Sequence, residues 1–149
     1  MESITYGVIR HWYYEGRVVA YTIHDVNMAS MSRWGDAIMC TLEEWPTENP
    51  NYLALHDLSN SGVSMAFVVL NNYHIFTPGG NAMGRQRFEH FMAKRPDLKV
   101  RLALVISNEL SGQITMQHLR NAKLEALTEV NVFVDREAAL DWLAGFVQD

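Results

Sequence analysis

The stretch "LALHDLSNSGVSMAF", residues 53–67, decides the fold, because it passes from one apolar run to another through a short polar segment. We call this segment, residues 59–62, the polar knot. Its first part belongs to "NYLALHDLS", which is short and almost continuously apolar. Such a run is typical of a strand in a parallel sheet that is covered on both faces. The serines and the glycine that follow predict where this strand ends and a helix begins.

Strands and helices alternate on both sides of this stretch. The strands are predicted from short runs rich in β-branched and apolar residues, near residues 4–13, 17–24, 52–58, 100–106 and 130–134. Because alternating strands and helices are joined by right-handed crossovers, residues 1–149 are predicted to form one α/β domain. We expect a mixed, mostly parallel five-stranded sheet with helices on both faces, in which only the first strand runs antiparallel.

The first and last helices are predicted from apolar residues spaced three and four apart, the period of one helical face. Ser30 is expected to cap the first helix and Pro46 to end it. Its apolar face consists of Met31, Trp34, Ile38, Leu42 and Trp45. Asp135 is expected to cap the last helix. The packing face of that helix consists of Ala139, Leu140, Leu143, Phe146 and Val147.

Three further helices are predicted in the middle of the chain. The first covers residues 63–73, and the second begins near Thr77 and ends before Pro96. The buried stripe of the second consists of Phe88, Phe91 and Met92. The third is expected to be capped by Ser111.

Composition limits the classes of function. The chain has 149 residues, of which 48% are hydrophobic, and a net charge of -5. This acidic balance disfavours nucleic acid as a partner, because phosphate binding needs a cationic surface. The N-terminus has no signal-peptide pattern and no apolar run is long enough to span a bilayer, so we expect a cytoplasmic protein.

The cysteine content argues against a metal centre. Cys40 is the single cysteine, which excludes an internal disulfide and a multi-cysteine metal site. We expect Cys40 to be a buried small hydrophobic residue, because it lies on the apolar side of the first predicted helix. The sequence predicts neither a tightly bound metal nor a cofactor.

Two motifs resemble the SpoIIAA-like branch of the STAS superfamily, which is named for anti-sigma-factor antagonists. "LALHDLS" is similar to the buried strand of that family, ending here in Asp57-Leu58-Ser59. "VFVDREAALDWL" is similar to its last strand and capped final helix. The resemblance implies the same α/β fold and a module that binds a protein partner.

The resemblance also implies a site at the polar knot. In the family, a serine at the start of a helix accepts phosphate and switches binding to a kinase. The nearest match in this chain is Ser59-Asn60-Ser61-Gly62, in which Asn60 stands at the acceptor position. Since asparagine cannot take phosphate, we predict that Ser61 mainly caps the following helix and that the knot is not a phosphorylation switch.

Two His-Asp pairs suggest an alternative function. His24-Asp25 and His56-Asp57 each end a predicted strand, so both pairs are expected at the carboxyl edge of the sheet, where ligands usually bind. Two imidazoles and two carboxylates could hold a divalent metal or act as general acid and base. A small hydrolase or a metal-dependent enzyme is therefore the alternative. Against it, adjacent strand residues point to opposite faces, and strand-end aspartates commonly cap helices.

The segment from residue 63 to residue 76 is rich in apolar and aromatic side chains. Such a segment thickens the core, lines a pocket or forms a dimer face. The leading prediction is therefore a non-enzymatic binding or regulatory module that engages a protein partner, a second copy of itself as a homodimer, or a small apolar ligand. The predicted surface consists of Ser59, Ser61, Met65, Phe67, Tyr73 and Phe76.

Overall fold

The described part of the protein is built around a six-stranded mixed sheet. The computed structural model describes residues 1–25, 27–60, 82–108 and 129–147. The strands of this part are β1 (Glu2–Thr5), β2 (Val8–Tyr13), β3 (Val18–Ile23), β4 (Asn51–Leu58), β5 (Lys99–Ile106) and β6 (Glu129–Phe133). The helices are α1 (Met28–Glu43), α2 (Ala82–Lys94) and α3 (Arg136–Ala144). None of these helices is long and apolar enough to cross a membrane.

The strands lie in the sheet in their order along the chain. β1, β2 and β3 are joined as antiparallel neighbours, whereas β3, β4, β5 and β6 pair in parallel. The predicted α/β class and the parallel pairing of the later strands are therefore confirmed. The predicted count of five strands is wrong, because residues 4–13 do not form one strand. A turn at Tyr6-Gly7, in which Gly7 has a φ of 77°, divides that region into β1 and β2.

Helices cover both faces of the sheet, as predicted. Alternate residues of β3 belong to different clusters of the core, because strand side chains alternate between faces. Val19 and Tyr21 pack in the larger cluster with Trp34 of α1. Val18 packs in the smaller cluster with Leu143 of α3. We call these two sides the α1 face and the α3 face.

The ends of the helices agree with the sequence in part. Asp135 caps α3 through bonds from the amides of Glu137 and Ala138, as predicted. The cap of α1 is Asn27 and not Ser30. Ser30 completes a capping box instead, since its amide donates to Asn27 Oδ1 and its hydroxyl accepts from the Asn27 amide.

The buried positions of the helices largely follow the predicted faces. Phe88 and Phe91 of α2 are buried, and Trp34, Leu42 and Trp45 are buried in and just after α1. Cys40 is a correction, because it is exposed, with its Sγ 3.7 Å from Nη2 of Arg87. The helices predicted over residues 63–73 and after Ser111 lie outside the described residues.

The Gly7 turn supplies a sharp test of this architecture. A Cβ atom at Gly7 would overlap the backbone carbonyl oxygen of Asp25, whereas a Cβ at Gly16 would meet no atom within 4 Å. Both glycines have positive φ, so alanine is strained at both positions. We expect Gly7→Ala to lower the free energy of unfolding by at least about 3 kcal/mol, and Gly16→Ala by about 1 kcal/mol. Urea denaturation measures both values, and equal losses would contradict the packing of Gly7 against Asp25.

Candidate functional site at the carboxyl edge of the sheet

A polar network lies on the α3 face, close to the carboxyl ends of β3 and β4. The two strands are parallel neighbours, and their register places Thr22 opposite Asp57. α3 begins directly after β6, so its first turn lies at the same edge of the sheet. In open α/β sheets this edge is the usual position of a ligand or partner site.

Asp57 is the centre of the network. It is only 7% exposed, although it carries a carboxylate. Its Oδ1 accepts hydrogen bonds from the amide of Ser59 at 3.0 Å and from the hydroxyl of Ser59 at 2.5 Å. Its Oδ2 accepts from Nη1 of Arg136 at 2.8 Å. Both carboxylate oxygens are therefore engaged within the protein.

Arg136 connects the network to three strands. Besides Asp57 in β4, its Nη1 reaches the hydroxyl of Thr22 in β3 at 3.0 Å. Its Nη2 donates to the phenol oxygen of Tyr13 in β2, also at 3.0 Å. Burial of the guanidinium lowers its pKa, but the bonds to Tyr13 and Asp57 outweigh this effect and hold the pKa of Arg136 above its ordinary value. The group stays charged and pairs with Asp57.

His11 borders this network in β2. Its ring is stacked on that of Tyr13, with 6.4 Å between the ring centroids. Burial lowers the pKa of His11, and the positive charge of Arg136 lowers it further. The imidazole is thereby favoured in its neutral form next to the ion pair.

His56 lies on the opposite face of β4 from Asp57. It is 5% exposed, with its ring centroid 5.5 Å from that of Tyr21 and 5.1 Å from that of Trp34. Within the described part of the chain, no hydrogen-bond partner reaches its Nε2. Burial lowers the pKa of His56 to about 3, so this imidazole is neutral at physiological pH.

The first His-Asp pair does not join the second. His24 and Asp25 follow β3 and are exposed. Their backbone amides both donate to the carbonyl of Gly7, at 2.6 and 3.4 Å, which fixes the turn between β1 and β2. Across residues 1–25, 27–60, 82–108 and 129–147, no three His, Cys, Asp or Glu side chains are grouped so that they could hold a metal ion.

The residues of the predicted binding surface are placed only in part. Ser59 is partly buried and donates its hydroxyl to Asp57. The remaining members lie outside the described residues, namely Ser61, Met65, Phe67, Tyr73 and Phe76.

The sequence pointed to Asp57 but missed the residues that hold it. Tyr13, Thr22 and Arg136 come from three elements and meet Asp57 only in the folded chain. One local signal was present, because the residue after the Asp135 cap must lie in the first turn of α3. A basic side chain at that position, so close to the carboxyl edge, is the natural partner for a strand-end aspartate.

Comparisons of the chain with protein-family models, with curated proteins and with solved structures find no match.

The burial of His56 predicts a pH dependence of stability. Folded His56 stays neutral down to about pH 3, whereas the unfolded chain takes up this proton below about pH 6.5. The unfolded state therefore binds more protons as the pH falls, and stability is lost from about pH 6.5 downwards, by up to about 1.4 kcal/mol per pH unit. We expect His56→Phe to remove about 2 kcal/mol of the loss between pH 7 and pH 5.

Urea denaturation at several pH values measures this loss, and His90→Phe is the matched control because His90 is exposed on α2. The control should keep the pH dependence of the unchanged protein. A His56→Phe variant with that same pH dependence would contradict a buried, neutral His56.

Proposed function

We propose that the protein is a non-enzymatic binding or regulatory module of SpoIIAA-like, STAS-like type. It engages a protein partner, or a second copy of itself, through a surface at the carboxyl edge of the sheet. This surface starts at Ser59 and Asn60 and continues into the apolar segment up to residue 76. The same apolar segment could instead receive a small apolar ligand.

The observation that carries the proposal is the engagement of Asp57. General acid–base catalysis needs a carboxylate or imidazole within hydrogen-bond reach of a substrate. Both oxygens of Asp57 are already bonded to Ser59 and Arg136. A carboxylate whose two oxygens are both bonded within the protein supports a structural role for the polar groups at this edge.

The position of His56 supports the same conclusion. A catalytic pair or a metal site requires its side chains to converge on one point. Here His56 packs among aromatic rings on the α1 face, while Asp57 faces α3. The geometry therefore does not favour the alternative of a hydrolase or metal-dependent enzyme built on the His-Asp pairs.

A rigid edge is what a binding loop needs. Binding residues are commonly found on loops that a stable scaffold positions. The bonds from Asp57 to the amide and hydroxyl of Ser59 fix the direction in which the chain leaves β4. Asn60, the next residue, is exposed and is presented from this fixed turn.

The resemblance of "LALHDLS" and "VFVDREAALDWL" to SpoIIAA-like proteins adds to the proposal. In that family, phosphorylation of a serine where a helix begins switches binding to a partner kinase. Because Asn60 stands at the acceptor position, the module proposed for this chain binds without phosphorylation of that position.

Site-specific photo-crosslinking in the source organism tests the proposal. A photoreactive amino acid in place of Asn60 should give a discrete crosslinked product, identified by mass spectrometry. A product with a different protein indicates a partner, and a product with a second copy indicates a homodimer. In either case an excess of the unmodified protein should reduce the yield.

The control is the same photoreactive residue in place of Glu44, which is exposed at the other end of α1. It should give none of the product obtained at Asn60. Equal products at both positions, or none at Asn60, would contradict a binding surface at the carboxyl edge.

A further inference from the structure

A cleft with a volume of about 370 Å³ lies at the opposite, amino edge of the sheet. One wall is the turn between β2 and β3, which contributes Glu15. The other wall is the segment before β4, which contributes Pro46, Glu48 and Pro50. The volume is within the range of clefts that bind small molecules.

The floor of the cleft is apolar and held in place. Leu53 of β4 is 1% exposed, and Phe146 packs partly buried against the same core cluster. The guanidinium of Arg101 lies 4.0 Å from the centroid of the Phe146 ring. Arg101 is itself held by Asn51 at 2.8 Å and Glu129 at 3.3 Å. The ring is therefore positioned before any ligand arrives.

The wall formed by residues 46–50 is also preorganised. Arg95 donates hydrogen bonds to the carbonyls of Trp45, Pro46 and Asn49, at 2.9, 3.1 and 3.2 Å. Without these bonds, the three backbone carbonyls would have to accept hydrogen bonds from water. A fixed wall lowers the entropic cost of binding a ligand.

The walls of the cleft contribute two carboxylates, those of Glu15 and Glu48. Both Glu15 and Glu48 are exposed, and no described side chain forms an ion pair with either. Arg17, which also lines the cleft, is engaged in an interaction within the protein. Together, the side chains of Glu15, Arg17 and Glu48 give the lining of the cleft a formal net charge of -1.

The turn that carries Glu15 is strained. Tyr14 and Glu15 have φ values of 54° and 57°, and Gly16 follows with 81°. The register of β2 and β3 pairs Tyr13 with Val18 and leaves four residues in the turn. A positive φ favours glycine, asparagine or aspartate, because most other side chains are strained there. The chain instead places tyrosine and glutamate in the turn. Strain of this kind is concentrated at functional sites.

We propose that this cleft binds a small organic cation, in which an ammonium group is carried on an apolar body. The ammonium group meets Glu15 and Glu48, and the apolar body rests on Phe146 and Val147, which are only partly buried. An anion would meet the two carboxylates unfavourably, and a neutral molecule would gain only the apolar contact. This site is separate from the carboxyl edge and does not depend on the proposed function.

Titration with three matched probes followed by amide NMR tests the proposal. The probes are 2-phenylethylamine, 2-phenylethanol and 3-phenylpropanoate, which are cationic, neutral and anionic at pH 7. The amine should bind saturably, at least about tenfold more tightly than the alcohol, and should shift the amides of Gly16, Leu53 and Val147. Tenfold corresponds to about 1.4 kcal/mol.

Substitutions distinguish the contribution of the two carboxylates to binding from that of the apolar floor. The affinity for the amine should fall about fivefold in Glu15→Gln and in Glu48→Gln, while the affinity for the alcohol should stay the same. Phe146→Leu should lower the affinity for both probes. Glu137→Gln, which removes an exposed carboxylate outside the cleft, should change neither. The proposal is overturned if the amine gives no saturable shifts at these amides. It is overturned equally if the alcohol or the anion binds as tightly as the amine.

Discussion

The ion pair between Asp57 and Arg136 is the interaction on which the rest of the carboxyl edge depends. One guanidinium joins the start of α3 to β2, β3 and β4 through Tyr13, Thr22 and Asp57. Removing such charges from water is costly, and the cost is offset only when every donor and acceptor finds a partner. Here both oxygens of Asp57 are bonded, and so are two of the guanidinium nitrogens. The ion pair and the hydrogen bonds around it, which we call the brace, therefore form only when the hairpin, the parallel strands and the last helix are all in place.

The alternation of side chains along β4 bears on function, because it separates the side chain of His56 from that of Asp57. His56 and Asp57 are neighbours in sequence, yet the side chain of His56 lies on the α1 face and that of Asp57 on the α3 face. His56 fills a gap among aromatic rings under α1, and Asp57 fixes α3 and the exit of the strand. The His56-Asp57 dipeptide, on which the alternative enzymatic function was based, is thus divided between the two faces of the sheet. At the edge of the sheet, the bonds from Ser59 to Asp57 fix the exit of the strand.

The fold was predictable where the signal is local or spread over a whole strand. β4 and β5 are mostly apolar runs, and Asp135 caps the helix that follows it directly. The break between β1 and β2 was missed because one glycine within a β-rich run is a weak signal. Cys40 was misplaced because the face of α1 that it occupies meets Arg87 at the surface and not the core. The Asp57–Arg136 pair could not be derived from spacing, since the two residues are 79 positions apart and meet through sheet register and helix placement.

A double-mutant cycle on Asp57 and Arg136 tests the central claim most directly. The free energies of unfolding of Asp57→Asn, Arg136→Gln and the double variant are compared with that of the unchanged protein. If the pair is the brace, the two changes are coupled by at least about 1.5 kcal/mol. The exposed pair of Arg87 and Glu43, treated in the same way, should couple by less than about 1 kcal/mol. Losses at Asp57 and Arg136 that add to within about 0.5 kcal/mol would contradict the account.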